Sequence, residues 1–239
     1  MNYLLLALCL GSFTCCQAQL VPSRQAYETK WAKPETGAMT WYVLRDTAAF
    51  ELGSVTSQVV DSKDQLTLIT TVTLKGMKGT WVDSSICAKA TLKPIRHVSY
   101  NGQRDMVLDF DRVVTGFYTD KRLGKTTRIS DTTRAAYFDS NIYPLLIRWL
   151  PLKEGFTQKL AIYDYNPSAK TGVITASVNE VSSSTYTSRK AGTRAVWLVD
   201  VTDEISNGKS RYFIDKADRK LWKQTIEAGG RSMMMVAVE

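Results

Sequence analysis

Residues 193–203 read Thr193-Arg194-Ala195-Val196-Trp197-Leu198-Val199-Asp200-Val201-Thr202-Asp203. The β-branched and aromatic content predicts a strand. Ala195 through Val199 are apolar at every position, so apolar groups project from both faces of that strand. Leu221-Trp222 repeats the pattern, sending one large apolar group each way. A sheet that is apolar on both faces needs cover on both. Two architectures supply it: a sheet curled into a barrel or half-barrel whose interior is partly covered by a helix, or two stacked sheets.

Outward from this stretch the chain consists of short runs rich in Val, Ile, Thr, Tyr, Phe and Trp, separated by turn residues. The pattern predicts strands near 39–45, 51–60, 65–75, 80–93, 95–100, 103–110, 112–119, 125–130 and 134–138, then near 156–165, 172–187, 193–203, 209–215, 220–227 and 231–238. Links of a few residues require antiparallel neighbours, because a parallel crossover needs about a dozen residues or more. The prediction is therefore a mainly β chain, a long antiparallel meander. Asn101-Gly102 gives the strongest hairpin signal, since a two-residue type I′ turn needs positive φ at both positions; Asn207-Gly208 repeats it and Gly229-Gly230 is weaker. No repeat at a fixed period is visible, which weighs against a propeller.

One segment departs from this rhythm. Tyr143-Pro144-Leu145-Leu146-Ile147-Arg148-Trp149-Leu150-Pro151 follows Asp139, Ser140 and Asn141, residue types that cap helices, and its apolar positions recur at helical spacing. It predicts one short amphipathic helix near 141–150, stopped by Pro151, acting either as packing against the sheet or as a lid over a cavity.

Several short motifs carry a family likeness. Leu92-Lys93-Pro94, Tyr137-Phe138-Asp139-Ser140, Leu150-Pro151-Leu152 with Gly155, Gly192-Thr193-Arg194 with Val196-Trp197, and Tyr212-Phe213-Ile214-Asp215 with Arg219-Lys220-Leu221-Trp222 resemble an uncharacterised family of exported bacterial β-proteins. That family is similar in fold to the periplasmic lipoprotein carriers, whose curved, incomplete antiparallel barrel surrounds an apolar cavity plugged by helices. The resemblance covers residues 39–239. It implies a single half-barrel domain there, in a Gram-negative periplasm, and it brings no catalytic residues.

The N-terminus is read as an export signal. Leu4 to Phe13 form an apolar run too short to span a bilayer but suited to the core of a secretory signal, with cleavage near Ala18 or Gln19. Residues 1–19 are then leader and 20–38 an N-terminal segment. The competing reading is a lipoprotein anchored at Cys15 or Cys16. Cleavage removes Cys9, Cys15 and Cys16 and leaves Cys87 without a disulfide partner. The leader holds no charged side chain, so the whole net charge of +8 belongs to the mature chain. With 44% apolar and 23% charged residues over 239 positions, collagen-like, coiled-coil and disordered classes are excluded.

Chemistry-bearing patterns are sparse. His97 is the one histidine, so a histidine-based zinc site lacks partners, and no Gly-x-Ser-x-Gly elbow or phosphate loop occurs. A Cys87/His97 dyad needs neighbouring strands to align the two. Asp109 and Asp111 share a strand face and are expected to meet solvent. Basic residues gather at Lys75 and Lys78, at Lys121, Arg122 and Lys125, and at Arg211, Lys216, Arg219, Lys220 and Lys223. Their dispersal does not suit nucleic acid; anionic headgroups or envelope polymers suit a basic exported surface better. The sequence thus predicts a non-enzymatic protein without cofactor or metal, binding a lipid, acyl chain or lipidated peptide, with peripheral membrane contact. The cavity or lid candidates are Leu145, Leu146, Trp149, Trp197, Trp222 and Met234. The alternative is an interaction domain of an envelope assembly, partnered by envelope proteins.

Overall fold

Fifteen strands form among the described residues, each at a predicted position, and they join in one sheet. The computed structural model describes residues 18–239; the predicted leader, with Cys9, Cys15 and Cys16, lies outside the described residues apart from Ala18 and Gln19. Eight strands run in succession: β1 (Glu35–Arg45), β2 (Ala48–Asp61), β3 (Gln65–Leu74), β4 (Trp81–Ala88), β5 (Pro94–Tyr100), β6 (Arg104–Asp109), β7 (Val113–Asp120) and β8 (Lys125–Thr132). After the two-residue β9 (Phe138–Asp139) and helix α1 (Tyr143–Trp149) come β10 (Gln158–Asp164), β11 (Gly172–Ser188), β12 (Gly192–Asp203), β13 (Gly208–Asp215), β14 (Leu221–Ala228) and β15 (Arg231–Ala237).

The order across the sheet is β8-β7-β6-β5-β4-β3-β2-β1-β15-β14-β13-β12-β11-β10-β9. Two antiparallel meanders are thus joined in the middle, where β1 and β15 pair from Met39↔Ala237 to Leu44↔Ser232. One pair is parallel: β9 on β10, joined through α1 by a connection long enough for a crossover.

This order dictates the curvature. Laid flat, the sheet would be about 65 to 70 Å wide at about 4.8 Å per strand. Its two edges, β8 and β9, are consecutive in the chain and linked by only five residues, 133–137, which reach about 20 Å at full stretch. The sheet must curl until its edges face each other. They do not pair, so the result is an open half-barrel, as expected, sealed along the seam by side chains: Met106, Leu108, Phe110, Val114 and Ile129 from the β6–β8 arm pack on Tyr137, Ala161 and Tyr163 from the other.

Inside the curl sits α1. Leu146, Ile147, Trp149 and Leu150 are fully buried, in one cluster with Val59, Leu66, Leu68 and Cys87 of β2–β4 and with Ile174, Val178, Val199, Tyr212 and Ile214 of β11–β13. The N-terminal segment straps the helix down. Leu20 bridges β10 at Leu160, Tyr27 lies 5.7 Å from the Trp149 ring, and the Glu28 N–H donates to the Trp149 carbonyl at 2.9 Å. Arg148 reaches out to Glu35 of β1 at 2.6 and 3.0 Å and to the Arg219 carbonyl at 2.7 Å.

Some local expectations need correction. The run 80–93 is not one strand: β4 ends at Ala88 and a turn follows, with Leu92 at φ 58°. β1 begins at Glu35 rather than 39, and the predicted strand 134–138 shrinks to Phe138–Asp139. Asn101-Gly102 is not a type I′ turn. Neither residue has positive φ; instead the Asn101 carboxamide oxygen accepts the Gln103 and Arg104 N–H groups at 2.7 and 2.9 Å, closing a three-residue loop. Gly229-Gly230, the weaker signal, has positive φ at both positions (57° and 72°) and links β14 directly to β15. The helix starts without a side-chain cap, because Asp139 lies in the core and not at Ncap.

Candidate functional site

In antiparallel pairs, residues opposite each other share a face, so the register fixes which side chains line the inside of the half-barrel. Starting from Val199 and Tyr212, which touch α1, the inner face continues through Gln224 to Met235, Trp41 and Gly53, and a step along β1 through Met39 to Val55, Val72 and Trp81. Asp83, Ser85 and Cys87 of β4 and His97 and Ser99 of β5 lie on it too.

The inner face has two very different parts. Around α1 it is packed. A seven-residue helix is only about 10 Å long, whereas the eleven residues of β1 extend about 36 Å. The helix leaves the rest uncovered. Met39, Trp41 and Val43 of β1, Ile226 of β14, and Met233 and Met235 of β15 are only partly buried and belong to neither apolar cluster. The shielded indole N–H of Trp41 meets no acceptor. Among the described residues nothing forms a second layer over this methionine-rich wall.

Beside the seam lies a buried polar group. His97 is 5% exposed, its Nδ1 3.0 Å from Asp139 Oδ1 and its Nε2 3.8 Å from Asp83 Oδ1. Burial on its own would lower the imidazole, but the charge and hydrogen bond of Asp139, together with Asp83, push its pKa up to about 10. His97 is therefore an imidazolium bracketed by two carboxylates. Burial would raise the Asp83 carboxyl, and contacts with His97, Ser99 and Trp81 outweigh that and hold it below its usual range. Asn141 joins the two arms, donating from Nδ2 to Ser85 Oγ at 2.9 Å and from its backbone to Asp139 at 3.1 Å.

The Cys87/His97 dyad is not assembled. Both ring nitrogens of His97 face carboxylates, and the Cys87 thiol points at the Leu66 carbonyl at 3.7 Å. Burial, with Asp139 nearby, raises that thiol to about 12, leaving no thiolate to act as a nucleophile. Among the described residues no group of three or more His, Cys, Asp or Glu side chains could hold a metal, and no helix is long and apolar enough to cross a membrane. Asp109 is exposed and paired with Arg96, and Asp111 is exposed.

The six candidates from the sequence are not brought together. Leu145, Leu146 and Trp149 form the buried helix itself, as packing rather than a lid, and Trp197 lies at the margin of the same cluster with the Lys216 ammonium 3.8 Å from its ring. Trp222 and Met234 are on the opposite face. Trp222 stacks on Tyr186 at 5.8 Å and donates to Asp215 at 2.9 Å, while Met234 pairs with Tyr42 and Thr225, out of register with Met233 and Met235. Met233 and Met235, the neighbours of the candidate Met234, are the ones that line the wall, because strand alternation turns them inside and Met234 outside. Trp41 was missed because β1, read by itself, has no residue that marks it as uncovered. The basic cluster at 211–223 is partly stacked on aromatics, Lys220 over Trp222 at 3.9 Å and Lys223 over Phe213 at 5.4 Å.

Sheet order, curl and plug define an open antiparallel β half-barrel with a helix-filled core and an uncovered apolar wall. The chain belongs to a family described as Protein of unknown function (DUF3108), whose model matches residues 36–238, all of the sheet but the first residue of β1. No curated protein and no solved structure matches it, so the expected similarity to the lipoprotein carriers gains nothing from either comparison.

Proposed function

We propose that this chain is an exported envelope protein that holds the apolar chain of a lipid or lipidated peptide against the uncovered inner wall of its half-barrel. One observation carries the reading: Met39, Trp41, Val43, Ile226, Met233 and Met235 stay partly exposed on the face that elsewhere packs α1. A sheet face of this composition normally has a second layer, and methionine side chains adapt to chains of varied shape. The apolar run at Leu4 to Phe13, read as an export signal, supports the same ligand class, since an exported chain would meet envelope lipids.

The test is native mass spectrometry of the full chain purified without detergent from the envelope fraction of a Gram-negative host. An acyl-lipid adduct is expected, lost when Met233 and Met235 are both changed to Asp in a variant that keeps the parental circular dichroism spectrum. A chain that is free of adduct and takes up no fluorescent fatty acid overturns the proposal.

A second reading, an interaction domain in an envelope assembly, draws on the outer face of the same strands, where Tyr42, Leu44, Met234 and Val236 are also partly exposed. Crosslinking from Tyr42→Cys to a stoichiometric protein partner, with no lipid adduct, would favour it over the first.

A further inference from the structure

A pocket of about 750 Å³ opens at the seam, level with the start of β5 and the end of β8 and so at the other end of the strands from Trp41. Its volume falls in the range of small-molecule sites, about 300 to 1,000 Å³. The floor is apolar: Phe110 and Tyr137 are buried with ring centroids 5.9 Å apart edge to face, and Pro94 is buried beside them. It is also fixed. Tyr137 donates its hydroxyl to the Asp111 carbonyl at 2.9 Å, and the Thr133 N–H donates to the Arg112 carbonyl at 3.0 Å, tying the crossing segment to the β6–β7 turn.

The rim is cationic. Lys93, Arg112 and Arg134 face the pocket against one carboxylate, Asp111, so the lining carries two more positive charges than negative. Among the described residues the Asp111 carboxylate engages only Lys93, at 3.8 Å with both side chains exposed. The guanidinium groups of Arg112 and Arg134 make no hydrogen bond, ion pair or ring contact among the described residues. Guanidinium is a planar fork suited to carboxylate and phosphate oxygens. Two unengaged forks over an aromatic floor match a ligand with a charged head and an apolar body.

We propose that this pocket binds a small amphiphilic anion, its carboxylate or phosphate head held by Arg112 and Arg134 and its body laid on Phe110, Tyr137 and Pro94. The site is separate from the Trp41 wall and does not depend on the function proposed for it.

Calorimetric titration of the whole chain with decanoate, decyl phosphate, decanol and inorganic phosphate tests head and body separately. Decanoate and decyl phosphate are expected to bind about tenfold or more tightly than decanol or inorganic phosphate, as charge-assisted hydrogen bonds allow, and to weaken with added salt. The tighter of the two identifies the head as carboxylate or phosphate monoester. Arg112→Gln with Arg134→Gln, both exposed, should weaken the anions about tenfold and leave decanol unchanged; Ala135→Trp should block all binding by filling the pocket. Equal affinity for decanol, or for inorganic phosphate, overturns the proposal. So does anion binding that survives both variants and disappears with Met233→Asp and Met235→Asp, since that result assigns the ligand to the wall.

Discussion

At the scale of single residues, His97 shows what the half-barrel demands of its seam. The edges β8 and β9 do not pair, so the arms are held by apolar packing and by the bracket that Asp83 and Asp139 form around the His97 imidazolium. Because its folded pKa is raised from the ordinary value near 6.5 to about 10, its stabilisation is complete below pH 6.5 and is lost as pH rises through 10. Urea denaturation should therefore show wild type weakening between pH 6.5 and 10, while His97→Gln is about 3 kcal/mol less stable at pH 6 and nearly flat over that interval. Equal pH slopes for the two proteins would sink the bracket. Cys87, two positions from Ser85 on the same strand face, gives a companion prediction. With its thiol pushed up to about 12, iodoacetamide at pH 8 should leave it unmodified until denaturant is added. The sequence marks both residues as a dyad conceivable only if neighbouring strands align them, and the structure gives each a different partner. Asp139, 42 positions from His97, comes to it only when the seam closes, and no local pattern announces a partner across a seam.

Among the elements, the strands were legible because alternation and β-branching are local, whereas the turns were legible only in part. Asn101-Gly102 and Gly229-Gly230 both satisfy the sequence rule for a type I′ turn, but only the second adopts its backbone; the Asn101 side chain supplies a competing set of hydrogen bonds that favours a wider loop. Two substitutions separate these cases. Gly102→Ala has open space and no positive φ to strain, so thermal denaturation should place it within about 0.5 kcal/mol of wild type. Gly230→Ala, at φ 72°, should cost about 1 kcal/mol. A third glycine serves curvature. At Gly116 in β7 an added Cβ would lie 1.9 Å from the Val107 carbonyl oxygen in β6, a backbone atom that cannot yield, so Gly116→Ala should lose more than about 3 kcal/mol, beyond ordinary overpacking. Were Gly116→Ala as stable as Gly102→Ala, the close approach of β6 and β7 would be wrong.

For the molecule as a whole, the feature least legible in the sequence is the one on which the proposed function rests: the first and last strands, β1 and β15, meet at the centre of the sheet. Their pairing is the most distant in the chain, and each strand reads as ordinary half-buried sequence. Only the assembled order reveals that, among the described residues, the middle of the sheet has no second layer, while both flanks fold onto α1 or onto each other. A wall of this kind is held by backbone hydrogen bonds with little side-chain cover, and local stability follows buried contacts. Hydrogen exchange should consequently find β1, β14 and β15 less protected than β10–β13, although all are paired on both sides. A ligand that binds only the folded wall must add to its stability, by about 2.7 kcal/mol at a hundred times its dissociation constant. An acyl ligand seated there should slow exchange in β1 and β15 first, whereas one seated in the Arg112 pocket should protect the 133–137 crossing and leave the wall unchanged. Uniform protection across the sheet without ligand would mean that the wall is already as well covered as the flanks, and the argument for an acyl occupant would fall with it.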